Sequence, residues 1–294
     1  MKPILVIGDS GQLGQEFPPI LQPLGEVVSV GRKTVDLTQP EAIRSLIREI
    51  APNLIINAAA YTAVDRAESE PELAAAVNAT APSILAREAQ KQGSFLIHFS
   101  TDYVFDGQQS HPYQETDPTH PLGVYGQSKL AGEDAIRAAC DNAIILRTAW
   151  VYGTYGKGNF VKTMLRLGAE REEIRVVADQ IGSPTWTRDL AQATQQLISQ
   201  LNPNLSGTYH YTNSGVASWY DFAVAIFEEA KTLNFPLKLQ RVIPITTPEY
   251  PTPAQRPAYS VLACGKIAAA LGTYPPHWRQ GLRQMLAAYA EMKL

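Results

Sequence analysis

A tyrosine and a lysine four positions apart, in the run Tyr125-Gly-Gln-Ser-Lys129, suggest chemistry most directly in this chain of 294 residues. If the turn from Tyr125 is helical, positions i and i+4 share one face, so the phenol and the ammonium can meet. The ammonium would favour phenolate and bring the tyrosine pKa down from about 10 toward the working pH. A phenol tuned in this way can give a proton to a carbonyl oxygen while hydride reaches the carbon. The spacing alone is weak, because Tyr289 and Lys293 repeat it in what reads as a surface helix. Position separates the two pairs. Upstream of Tyr125, the run Ser100-Thr101-Asp102-Tyr103-Val104-Phe105 ends an apolar stretch. Its hydroxyl and carboxylate groups can reach the same carbonyl; the plainer alternative is that Ser100 and Thr101 cap a turn.

A second motif points to the hydride source. Gly8-Asp-Ser-Gly11-Gln-Leu-Gly14 directly follows the apolar run Ile4–Ile7 and opens a helix-like segment. Glycine suits a backbone that must turn tightly, approach a pyrophosphate and pack a helix against a strand. A helix N-terminus there offers N–H groups and a positive dipole end to phosphates. The alternative is an ordinary strand-to-helix turn. After the next apolar run comes Gly31-Arg32-Lys33. An acidic residue at that place would hold a ribose 2′-hydroxyl, whereas Arg32 favours the 2′-phosphate of NADPH, with NADH the alternative. Asp36 and Leu37 fall where they would flank the adenine.

The elements that must position these residues alternate. Candidate strands are Ile4–Ile7, Glu26–Val30, Leu54–Asn57, Phe95–Phe99 and Ile144–Arg147, with helix-like segments near 12–22, 40–50, 72–92 and 128–139. Continuous apolar runs alternating with helices predict a doubly wound parallel sheet, with ligands beyond the C-terminal strand ends. The second half predicts helices near 160–169, 187–200 and 218–232, short strands at Ile174–Ala178 and Thr208–Tyr211, and a helical tail from Trp278 to Met292. The proline-rich stretch from Pro244 to Pro257 reads as a stiff, extended loop over a binding site. The expected division is 1–150 for the nucleotide-binding domain and 151–294 mainly for substrate, with a segment near 205–215 returning to the sheet.

Composition excludes several classes. Apolar residues make up 45% and charged residues 18%, too apolar for disorder. With 25 basic and 28 acidic side chains and no basic run, nucleic-acid binding is not expected. Cys140 and Cys264 match no metal spacing, the five histidines show no zinc pattern, and no apolar run approaches a membrane span. A reducing cytoplasm is the expected compartment.

At these residues the chain resembles the extended short-chain dehydrogenase/reductase superfamily, and within it the dTDP-4-dehydrorhamnose reductase family. The blocks that carry the resemblance are Gly11-Gln12-Leu13-Gly14, Asn57-Ala58-Ala59-Ala60-Tyr61-Thr62-Ala63-Val64-Asp65-Arg66-Ala67-Glu68, Ser100 to Phe105 and Pro121 to Lys129. Further blocks are Arg147 to Tyr152, Asp179 to Thr185 and Tyr250 to Pro257, so the likeness spans essentially the whole chain. It implies an α/β, Rossmann-like doubly wound sheet with a smaller C-terminal α/β substrate domain, and reduction of the C4 ketone of a dTDP-keto sugar for surface polysaccharide. It implies that Tyr125 protonates the oxygen formed, that Lys129 holds the nicotinamide ribose and tunes Tyr125, and that Thr101 bonds the same oxygen. By the same resemblance Asp102 contacts the sugar, Trp150 walls its pocket and Arg256 grips the diphosphate. Gly8, Gly11, Gln12, Leu13 and Gly14 would form the phosphate loop, with Ala60, Tyr61, Thr62 and Phe99 lining the cofactor cleft.

One departure bears on assembly. Some members of that family dimerise around magnesium held by glutamates. Glu16 matches one of these, but the other positions fall at or near Arg188 and Ala288, with Asp189 adjacent. No metal is therefore expected, and the chain is expected to be a monomer or a weak homodimer. Two alternatives stay open: a non-catalytic nucleotide-binding subunit of a methionine adenosyltransferase, and a reductase or epimerase of another nucleotide sugar.

Overall fold

The computed structural model describes residues 2–292. Its centre is a six-stranded sheet in the order Gly207–His210, Ala143–Thr148, Phe95–Thr101, Leu54–Asn57, Ile4–Ile7, Val27–Val30. Every pairing in it is parallel. The central strands Ile4–Ile7, Leu54–Asn57 and Phe95–Thr101 are buried along their whole length, as helices on both faces require. Alternate residues serve opposite faces. Leu5, Ile7, Ile55 and Leu96 pack under the helices Pro40–Ile50, Ala81–Gln92 and Val124–Ala139, meeting Ile43, Ile47, Leu85 and Ile136. Val6, Ile56, Ile97 and Leu146 face the other way, against Phe17, Leu21, Leu190, Leu197 and Ile267.

The chain first builds outward from Ile4–Ile7 to Val27–Val30, then crosses back to add its remaining strands on the opposite side. That reversal leaves a crevice between the C-terminal ends of Ile4–Ile7 and Leu54–Asn57. A second lobe has its own core, in which Val161, Leu165, Phe222, Ile226, Leu282 and Met285 bring together the helices Phe160–Glu170, Trp219–Thr232 and Trp278–Glu291. Its sheets are small: Glu173–Val177 pairs with Arg241–Ile245, and Val151–Tyr152 with Thr185–Trp186.

Two helices differ from expectation. The segment near 12–22 is regular only over Phe17–Leu21. The residues before it form a turn, with the Gln15 N–H bonded to the Gly11 carbonyl at 3.1 Å and the Glu16 N–H to Leu13 at 3.0 Å. Pro18 and Pro19 have no N–H, so the bonds back to Gly14 and Gln15 that would join turn and helix cannot form. The segment near 72–92 is likewise broken into Pro71–Ala75, a wide π turn over Ala76–Thr80, and Ala81–Gln92. There Pro82 removes the donor that would have bonded Asn78. Among the described residues no helix is long and apolar enough to cross a membrane, and Cys140 and Cys264 are free thiols.

Candidate active site

A cleft of about 920 Å³ lies at the C-terminal ends of the strands, where the two lobes meet. Its floor begins at the glycine loop. Gly8 sits at φ +105°, and a Cβ there would come within 2.8 Å of the Ala59 nitrogen. The loop therefore nests against the next strand end in a conformation that favours glycine. Gly11, Gln12 and Leu13 line the cleft; Gly14 does not, because it turns inward, where a Cβ would meet the Gly8 carbonyl at 2.0 Å. The Gln12 side chain has another task. Its amide donates to the Val151 carbonyl at 3.2 Å and accepts from Asn159 Nδ2 at 3.2 Å. Asn159 in turn caps the helix Phe160–Glu170.

Arg32, Asp36 and Leu37 line one end of the cleft, with Arg32 exposed at its lip. Asp36 is folded onto its own turn, accepting from both the Thr38 N–H and the Thr38 hydroxyl at 2.9 Å. Ala60, Tyr61 and Thr62 form a side wall. Tyr61 is pinned by the buried Asn78, which accepts from its N–H at 2.8 Å, donates to its carbonyl at 3.0 Å and also donates to Ser128 on the Tyr125 helix. This cradle of close-packed glycine backbone, with the Arg32 side chain at its lip, fits a dinucleotide.

Tyr125 and Lys129 occupy the first two turns of the helix Val124–Ala139. Its start is fixed by Glu68, whose Oε1 accepts from the Val124 N–H at 2.9 Å. A carboxylate at this helix end satisfies a free donor and complements the dipole. Gly126 lets the helix lie against the turn at Asp102–Val104, since a Cβ would come within 2.2 Å of the Tyr103 carbonyl. Phe99, Thr101 and Asp102 face the same space from the end of the neighbouring strand. The Thr101 hydroxyl donates to Asp102 at 3.0 Å and accepts from the Tyr103 N–H at 3.2 Å, so it caps a turn and also faces the cleft.

The electrostatics differ from the simple ion-pair expectation. Burial pushes the Tyr125 phenol up to about 12; hydrogen bonding with Thr101 opposes this and the charge of Asp102 adds to it. Burial pushes Lys129 down to about 8, with Glu133 acting the other way. The lysine points its Nζ to the Phe99 carbonyl at 2.6 Å and to His98 Nε2 at 3.2 Å. In this state Lys129 is therefore held by neutral groups, and the phenol is not acidified as the spacing suggested. Desolvation outweighs the four-residue proximity. Asp102 is raised to about 6, chiefly by burial.

The second lobe supplies aromatic walls. Trp150 adopts a left-handed backbone, φ 48°, and its indole stacks on Trp219 with ring centroids 3.6 Å apart and planes at 4°. Phe160 leans on Trp219 at 4.6 Å, and all three line the cleft. Trp219 and Phe160 were not singled out by motif; the hint lay in aromatic residues opening two second-lobe helices. Arg256 reaches the cleft from the proline-rich segment, but its guanidinium grips Asp65 bidentately at 3.0 and 2.9 Å. Asp65, in the first lobe, is held below its usual range mainly by this hydrogen bonding. Arg256 must therefore share or exchange that partner to hold a diphosphate. Of the second tyrosine–lysine spacing, Tyr289 stacks on Phe235 in the other lobe, and Lys293 lies outside the described residues. Glu16 is buried and accepts from the Thr187 hydroxyl at 2.9 Å.

Comparison with known proteins places this geometry. A dTDP-4-dehydrorhamnose reductase of Escherichia coli K12 is 45% identical over 290 residues, 96% of each chain. The spore coat polysaccharide biosynthesis protein SpsK of Bacillus subtilis is 42% identical over 287 residues, 97% of each. The crystal structure of dTDP-4-dehydrorhamnose reductase from Bacillus anthracis, in complex with NADP, superposes with a TM-score of 0.91 at 39% identity, covering 98% of this chain and 99% of that one. The family model described as RmlD substrate binding domain matches residues 1–291, and with relatives this similar along nearly the full length, the chain belongs to that family.

Proposed function

We propose that the protein is a dTDP-4-dehydrorhamnose reductase, which reduces the C4 ketone of dTDP-4-dehydro-β-L-rhamnose to dTDP-β-L-rhamnose with NADPH. The observation that carries this reading is the convergence of Thr101, Tyr125 and Lys129 on one cleft with the glycine loop. The reductase name borne by a relative 45% identical supports the substrate. Gly8, Gly11, Gln12, Leu13 and Arg32 would hold the cofactor, which when bound supplies hydride to the ketone carbon. The Arg32 guanidinium at the lip of the cleft favours NADPH over NADH.

The chain's own residues do the rest. Tyr125 gives its phenolic proton to the ketone oxygen. A phenol that stays protonated at neutral pH is a competent donor to an oxygen becoming alkoxide. Thr101, beside it, turns its hydroxyl proton away from Asp102 to donate a second hydrogen bond to that oxygen as its charge grows. Trp150, stacked on Trp219, gives the sugar a flat apolar wall and keeps water from the reacting carbon. Lys129 and Asp102 set the charge at the cleft floor. We place the enzyme in the cytoplasm, as a single chain or a weak homodimer, consistent with its two free thiols.

The test is to mix the protein with NADPH and the dTDP-keto sugar and follow reduced-nicotinamide absorbance, with a UDP-keto sugar as competitor. Consumption of NADPH that the dTDP-sugar alone supports is the expected result. No turnover, with tight binding to a methionine adenosyltransferase, would establish the non-catalytic alternative instead.

A further inference from the structure

His98 is a buried titratable group that the mechanism above does not use. It is 1% exposed, on the strand Phe95–Thr101, and it stands between two polar side chains. Its Nδ1 lies 3.0 Å from Asn57 Nδ2, and its Nε2 lies 3.2 Å from Lys129 Nζ. The direction of this chain can be read from its far end. The Ala59 N–H, which can only donate, bonds Asn57 Oδ1 at 3.3 Å. That fixes the amide with its NH2 toward His98, so Nδ1 must accept. A neutral imidazole that accepts at Nδ1 carries its proton on Nε2. The imidazole is neutral here, because burial holds its pKa well below the ordinary value. The N–H on Nε2 then points at Lys129, where only an amine lone pair can receive it. A lysine amine in this place can accept from His98 through its lone pair and donate to the Phe99 carbonyl at 2.6 Å.

We propose that His98 is a positioning residue which, as the Nε2–H tautomer set by Asn57, donates to Lys129 and favours its neutral amine over the ammonium in the cofactor-free protein. Protonating Lys129 then requires the imidazole to change tautomer or the Asn57 amide to turn, with loss of the bond from Ala59. The other ionisable groups around Lys129 are accounted for. Glu133, one turn along the helix, favours the ammonium, but its carboxylate is taken by Arg147 at 2.7 Å and Arg137 at 3.1 Å. Tyr125 and Asp102 share the cleft, Tyr125 uncharged at neutral pH and Asp102 titrating near 6. On the reductase reading, the proton inventory of the site depends on His98, although the arrangement itself belongs to the protein without ligand.

The test is made on the full, cofactor-free chain. Histidine ring 15N shifts report the tautomer of His98, with the His98→Leu variant identifying its signals, and 15Nζ of labelled lysine reports the titration of Lys129. The wild type is expected to show Nε2–H. His98→Leu, which removes the donor, is expected to raise the Lys129 pKa by about one unit. Asn57→Asp, whose carboxylate can only accept from Nδ1–H, is expected to reverse the tautomer and raise the Lys129 pKa further. An Nδ1–H tautomer in the wild type overturns the proposal, whether or not the variants fold. So does a Lys129 titration that is unmoved in a folded His98→Leu or Asn57→Asp protein. Neither readout requires turnover, so a failed reductase assay and a failed His98 assignment remain separate results.

Discussion

Lys129 and Glu133 lie one turn apart on the same helix, both buried, yet they sit in opposite environments. Glu133 has counter-charges: Arg147 donates to it through Nε and Nη2 at 2.9 and 2.7 Å, and Arg137 adds a further contact. Burial alone would push its carboxyl up, but the arginines hold it below the ordinary range. Lys129 meets only an imidazole and a carbonyl, and burial takes it down to about 8. A buried charge with a matched partner is fixed and structural. A buried group among neutral dipoles stays poised between two protonation states, which is what a proton-handling site requires.

The sharpest test of that contrast is at the poised end. Tyr125→Phe removes one hydroxyl and should cut turnover by about 10²- to 10⁴-fold, with the fold intact and NADPH affinity nearly kept. Stopped-flow absorbance and a melting curve check both halves, and full turnover would place the proton donor elsewhere. At the paired end, Glu133→Gln leaves Arg147 buried without its counter-charge. It should cost about 3–5 kcal/mol of stability in a urea titration, and the added change Arg147→Met should recover much of that. A small loss in the single variant would erase the distinction drawn here.

Asp102 offers an intermediate case. Its folded pKa, raised by burial to about 6, exceeds the ordinary carboxyl value of 3.8. The native state therefore binds a proton more tightly than the unfolded chain between those values. Its contribution costs nothing at pH below about 4 and grows as pH rises through about 6, to on the order of 2–3 kcal/mol. Asp102→Asn should remove that penalty, so the variant should gain on wild type in unfolding free energy between pH 4 and pH 7. A constant difference across that range would mean that Asp102 is not desolvated as described. The smallest effect is at the exposed lip. Arg32→Asp should shift preference from NADPH toward NADH by about tenfold or more, as one charge-assisted phosphate contact would. An unchanged ratio would assign the 2′-phosphate to another residue.

Much of the first lobe was legible because local pattern and tertiary role coincide there. Apolar runs such as Ile4–Ile7 and Leu54–Asn57 became the central strands, and the helix carrying Tyr125 and Lys129 starts just before them. The breaks at Pro18, Pro19 and Pro82 were written in the sequence as well, but apolar periodicity ran through them and obscured them. The Asp65–Arg256 pair joins positions 191 residues apart, and no spacing rule reaches so far. The Trp150–Trp219 stack forms beside the strand Val151–Tyr152, which is too short to carry a periodicity. The acidity of Tyr125 departs from the spacing-based expectation for a different reason. Spacing reports that two groups are near, whereas a pKa depends on how much water each has lost and on what replaced it.

The Gln12 amide has a mechanical consequence. One end of it grips the carbonyl of Val151 and the other end holds Asn159, which starts a helix of the opposite lobe. A residue of the phosphate loop thus serves as a tie rod between the halves of the molecule. The phosphate loop and the first turn of that helix are thereby fixed to each other through one side chain.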